Sequence, residues 1–212
     1  MNIGKLKINN NGIYSSKWDF YEYARHSIRW SMDSVSSMMG AMGSNALLSE
    51  VPYIKTDNFY MQLLAAHTAA YWQYLYFSEI VPHNLLTESM TEQKRGLDDG
   101  INAITFGEDK IDPYFVDLYH HFFRKYLRGI MDDCSQINDV DPEAFNPDVN
   151  NFTQAFMEDS KALSLRDNQV EIDEVKSSYL GHLIAVIPLG VFESLSKMTV
   201  EYIPPKKGFF NI

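Results

Sequence analysis

Between Tyr21 and Met42 the chain sets Tyr21, Ala24, Ile28, Ser31, Val35, Met38 and Met42 at alternating steps of three and four. That spacing places them on one face of an α-helix. Glu22, His26, Arg29 and Asp33 fall on the opposite face. Ser16 with Asp19 stands where a capping pair opens such a helix, and Gly40 and Gly43 stand where it would end. Ahead of it, Asn11-Gly12 between two short alternating segments predicts a β-hairpin.

Residues 57–81 show a different pattern. Around LLAAHTAAYWQYLYFSEIV the polar residues form thin lines separated by apolar ones, so every side of the helix is apolar. Such a helix is buried, and Ala65, Ala66, Ala69 and Ala70 let its neighbours come close. Gln62, His67, Gln73 and Glu79 interrupt it too often for a membrane span, and Pro82 ends it. The uncharged run LGHLIAVIPLGVF at 180–192 falls short of the ~20 residues a span needs, and suits a buried helix better.

The other elements are amphipathic. Ser89 with Glu92 reads as a capping box opening a helix with Leu97, Ile101 and Ile104 on one side, weakened by Gly96 and Gly100. Asp112-Pro113 starts a helix that packs through Phe115, Tyr119, Phe122, Tyr126 and Ile130, with Asp117, His121, Lys125 and Arg128 outward. An acidic loop over 137–150 leads to a helix with Val149, Phe152, Phe156 and Leu163 inward. The last helix runs from about Val170 through Tyr179, Leu183 and Val186, and Pro188 kinks or ends it before Val191 to Met198. These elements predict an all-α fold: an irregular helical bundle around a central buried helix, with a short N-terminal β-hairpin and an extended C-terminal arm. The expected divisions are residues 1–15, 16–198 and 199–212.

A chain of 212 residues with 45% hydrophobic and 22% charged residues has enough apolar material for one substantial core. Its formal charge of −10 repels phosphate backbones, and the basic stretch at Arg124, Lys125 and Arg128 is flanked by Asp132 and Asp133, so nucleic acid is not an expected partner. One cysteine, Cys134, excludes an internal disulfide, and Met1 to Asn11 lacks an apolar leader. A cytoplasmic protein without membrane spans is expected.

Catalytic chemistry finds little to build on. Glu22/His26, Glu79/His83 and Asp117/His121 pair a carboxylate with an imidazole one helical turn on. The first and third pairs lie opposite apolar stripes, His83 follows Pro82, and no Glu-x-x-His motif of a di-iron bundle occurs, so they read as solvent-facing ion pairs rather than a metal site. Cys134 follows two acids, a setting that disfavours the thiolate, and neither a nucleophile elbow nor a phosphate-cradling loop is present. No catalytic residue, metal ligand or cofactor is assigned.

His67 lies inside, on one line with Tyr71 and Tyr74. It is either a hydrogen-bonded core histidine or the wall of a ligand cavity between helices. Glu79 is either a buried acid or the polar last turn of its helix. His120 and His182 sit at the edges of apolar stripes. The tail EYIPPKKGFFNI sets Phe209, Phe210 and Ile212 beyond Pro204-Pro205 and two lysines. It either folds back over its own bundle or docks on a protein partner or another subunit. The leading expectation is a non-catalytic interaction or assembly protein using its acidic surface and this arm. The alternative is a helical-bundle enzyme, or a protein binding a small ligand or metal, with a cavity beside the central helix.

Overall fold

In the computed structural model, which describes residues 3–10, 14–106, 109–137 and 150–205, the hairpin comprises β1 (Lys5–Asn10) and β2 (Tyr14–Trp18). It is antiparallel, with Leu6 opposite Trp18 and Ile8 opposite Ser16, so its second strand runs past the expected boundary at residue 15. Ser16 therefore belongs to a strand. The first helix, α1 (Phe20–Ser44), is opened instead by Asp19, whose carboxylate accepts from the Glu22 N–H at 2.8 Å while the Glu22 carboxylate accepts from the Asp19 N–H at 3.1 Å. This capping box satisfies two donors that a helix start leaves free. The helix passes through Gly40 and Gly43 rather than stopping there. A side chain at either would meet nothing.

Helix α2 (Asp57–Phe77) is buried at every position from Phe59 to Gln73 except Tyr60. It packs between α1 on one side and, on the others, α4 (Pro113–Ile137) and α7 (Ile187–Ser196), with α3 (His83–Asn102) laid along α1. It ends before residue 81, because Glu79 takes a left-handed conformation, φ 53°, that no α-helix can contain. Helix α3 starts well ahead of Ser89. Pro82 is its N-cap, and Ser89 is an interior residue that donates to the Leu86 carbonyl and accepts from Gln93 at 2.6 Å. Ser89, Gln93, Gly96, Leu97 and Gly100 are all buried on this helix.

After α3, a small hairpin of β3 (Thr105–Phe106) and β4 (Asp109–Lys110) leads into α4, where the Asp112 carboxylate accepts from the Tyr114 N–H as a cap should. Helix α5 (Asn151–Leu163) is anchored to α4 by the buried Asp133, whose carboxylate accepts from the Asn151 N–H at 2.6 Å and the Phe152 N–H at 2.9 Å. A carboxylate is favoured at this positive helix end. Helix α6 (Glu174–Ala185) is capped by Asp173 and breaks from α7 at Val186, with Pro188 in the first turn of α7.

The arm expected over 199–212 begins as a strand. β5 (Thr199–Ile203) pairs antiparallel with the free edge of β1, giving the order β2-β1-β5. Leu6, Ile8 and Val200 from this sheet bury against Phe20, Tyr23, Leu75 and Leu86, closing one end of the bundle. Phe209, Phe210 and Ile212 lie outside the described residues.

Candidate functional site

The central helix carries two kinds of buried polar residue. Gln62 is wholly satisfied: its carbonyl accepts from Tyr53 at 2.8 Å and Ser160 at 3.0 Å, and its amide donates to the Tyr126 hydroxyl at 2.7 Å and the Phe156 carbonyl at 2.8 Å. Tyr126 in turn donates to Asp159, which also binds Lys125 at 2.8 Å. Burial raises the pKa of both Tyr53 and Tyr126, so their hydroxyls remain neutral donors. This network ties α2 to α4 and α5 and presents no free group to a ligand.

His67 is the other kind. It is 6% exposed, and its Nδ1 lies 2.9 Å from the Leu63 carbonyl. A carbonyl only accepts, so Nδ1 carries the proton and Nε2 is left as an acceptor. It lines a groove of about 260 Å³ with Met38 of α1, Tyr71 of α2, and Ile187, Gly190 and Val191 of α7. The structure thus brings two of the four expected cavity residues together, His67 and Tyr71. Tyr74 packs its ring 5.8 Å from Phe192 and does not line the groove. Glu79 is neither buried nor helical, because the left-handed turn carries it to the surface.

The remaining histidines disperse. His26, expected on a wet face beside Glu22, is half-buried and stacks on Trp18 with ring centroids 4.1 Å apart, because the hairpin folds over that face of α1. His121 is exposed, as is His83 at the start of α3. His120 approaches Asp98 at 3.3 Å, and His182 meets the Ser178 carbonyl on the open face of α6. Among the described residues, no group of three or more His, Cys, Asp or Glu side chains is placed to hold a metal ion.

Beside the groove lies a surface that the periodicity placed wrongly. Leu180, Ile184, Ala185, Ile187, Val191 and Leu195 are the buried apolar side chains of α6 and α7, whereas Tyr179 and Val186, expected inward, face outward. Val186 is 54% and Leu189 56% exposed, and Val175 continues this apolar ridge along α6. Residues 177–192 contain no Asp, Glu, Lys or Arg. By length and composition Glu174–Ser196 is apolar enough to cross a membrane, but here it is two helices whose inner side packs on the bundle.

Burial lowers the pKa of His26, His67 and His120 from the ordinary value of 6.5, with Arg29 adding to the effect on His26. Unfolded, these groups titrate near that value, so below it the unfolded chain binds more protons and stability falls as pH drops. The urea midpoint is expected to fall between pH 7.5 and 5.5. His67→Asn, which can still donate to the Leu63 carbonyl but cannot become charged, should flatten that slope. Equal slopes for the two proteins would contradict a neutral buried His67.

Comparison of the chain with protein families, with curated proteins and with solved structures finds no match. What the site can do therefore rests on its own geometry: a small groove with one fixed acceptor on its floor and an uncharged apolar ridge along its rim.

Proposed function

We propose that the protein is a non-catalytic assembly module whose α6–α7 ridge docks on the same face of a second copy. The observation that carries this is the pairing of ridge and groove on one face. Exposed Val186 and Leu189 stand beside a cleft of about 260 Å³ that Gly190 also lines, where an added side chain would meet nothing. A two-fold interface requires such self-complementarity, since each copy supplies both the knob and the hole. Charge supports the same partner. Two chains of net charge −10 repel each other, and the contact that costs least is where formal charge is missing. A basic partner would find nothing to pair with on this strip.

The groove is smaller than the ~300–1,000 Å³ usual for small-ligand sites, and its size suits one inserted aliphatic side chain. The same reading gives Phe209, Phe210 and Ile212 a share in the subunit contact, and a single cysteine fits a reducing compartment such as the cytoplasm.

Sedimentation of the full chain tests this. Self-association should strengthen as salt rises from low to physiological, because screening removes the repulsion. Leu189→Glu should weaken it about a hundredfold or more, since each copy loses ~1.5–3 kcal/mol of leucine burial and the change counts twice. A protein lacking residues 206–212 reads the share of the arm. A monomer at all concentrations and salts would sink the proposal. So would binding of neutral lipid vesicles that Leu189→Glu abolishes, which would assign the ridge to a membrane surface.

A further inference from the structure

We propose that the cleft between α1 and the end of α3 binds a small organic anion, a carboxylate, sulfonate or phosphate carried on an apolar body. The cleft has a volume of about 570 Å³, within the ~300–1,000 Å³ range of ligand pockets. Arg25 and Arg29 line it from α1 together with Glu22, with Ile28, Met32 and Ile104 as an apolar wall and His26 at its side. Nothing in the function proposed above uses this face.

The two arginines are one helical turn apart, and like charges at that spacing destabilise a helix unless something opposes them. Among the described residues, no carboxylate lies within ion-pair distance of either. Of the neighbouring acids, Asp33 lies exposed one turn from Arg29 without reaching it, and the others are engaged elsewhere. Glu22 closes the capping box, Asp99 accepts from the Tyr21 hydroxyl at 2.8 Å, Asp98 meets His120, and Glu92 holds Arg95.

A structural role at the end of α3 is the ordinary alternative, because cations are favoured beside the last carbonyls of a helix. Those carbonyls already have donors. The Ala103 N–H serves Asp99 and Gly100, the Ile104 N–H serves Ile101 at 3.1 Å, and the Asn102 side chain serves Asp98 at 2.7 Å. These four carbonyls are satisfied without either guanidinium. Two arginines without an ion-pair partner among the described residues therefore line, with one carboxylate, a cavity with an apolar wall, on a chain of net charge −10. Guanidinium groups bind planar or tetrahedral oxyanions through paired N–H donors, and the wall provides for the rest of the molecule.

The test is calorimetric titration of the full chain with 1-naphthyl phosphate and, separately, with inorganic phosphate, while the His26 ring protons are followed by NMR. Saturable one-to-one binding of 1-naphthyl phosphate is expected, with the His26 signals moving in step. Inorganic phosphate should bind about tenfold more weakly, because it leaves the apolar wall empty. Arg25→Gln and Arg29→Gln should each weaken 1-naphthyl phosphate about tenfold, and Arg128→Gln on α4 should not change it. Absence of saturable binding overturns the proposal, as does full affinity in the Arg25→Gln/Arg29→Gln double variant. Equal affinity for the two probes overturns the apolar-body part. Binding lost in Leu189→Glu but kept in the arginine variants places the probe on the α6–α7 ridge and overturns the cleft, whether or not that ridge self-associates.

Discussion

Replacing Gly96 with alanine is expected to destabilise the protein by about 3 kcal/mol or more, although alanine is by far the better helix former. The Cβ would lie 2.2 Å from the Tyr21 carbonyl oxygen and 3.0 Å from its carbon. Both are backbone atoms in the first turn of α1, which the capping box holds in place, so they cannot swing aside as a side chain would and α1 and α3 must separate. Gly100→Ala is the graded control. Its Cβ would meet the Ile28 side chain at 2.9 Å, which can move in part, and about 1–2 kcal/mol is expected. Urea unfolding of the two variants measures both. If Gly96→Ala instead stabilises by the ~1 kcal/mol that helix propensity alone predicts, the close α1–α3 contact does not exist in solution.

The second large effect is expected at Gln62. Gln62→Met keeps the length of the side chain and removes its four hydrogen bonds. The Tyr53 and Ser160 hydroxyls then lose their acceptor in the protein interior, and the Tyr126 oxygen loses a donor. Each stranded buried group costs about 1–3 kcal/mol, so a loss of about 3–5 kcal/mol is expected, a large part of the 5–15 kcal/mol that ordinarily holds a domain folded. Tyr53→Phe, which removes one partner and leaves Gln62 bound by the others, should cost only about 1 kcal/mol. The double variant should cost less than the sum, because phenylalanine leaves no hydroxyl to strand. Strict additivity would mean that the two residues do not share a network.

These two positions show what a sequence can and cannot carry. The burial of α2 was legible because its apolarity has no gap on any side. The same uniformity hid Gln62, whose partners arrive from α4, α5 and the segment at Tyr53. Gly96 and Gly100 read as weak points of a helix, since nothing local records that a backbone passes against them. At α6 and α7 the near-continuous apolar run has no phase. The break at Val186 then decides which side turns inward, and it buries Leu180 and Ile184 while exposing Tyr179 and Val186.

The candidate site was legible in part for the same reasons. His67 and Tyr71 share a helix face, so helical spacing alone brings them together. Glu79 depended on the helix continuing, and a left-handed residue other than glycine gives no warning in the sequence. His26 lies opposite its stripe, as the spacing says, yet Trp18 covers it from a strand whose placement is a tertiary fact. The cleft at Arg25 and Arg29 exists only because α3 ends beside them.

Hydrogen exchange at two protein concentrations, one below and one above the midpoint of assembly, tests the self-docking bundle most directly. The amides of residues 61–73 of α2 should open only with global unfolding at both concentrations, since that stretch is buried on every side. Those of residues 178–193 should exchange measurably faster in the dilute sample and slow as the second copy covers Val186 and Leu189. Concentration-dependent protection confined to some other surface, or none anywhere, would contradict docking through α6 and α7, and early exchange along the middle of α2 would contradict the bundle itself.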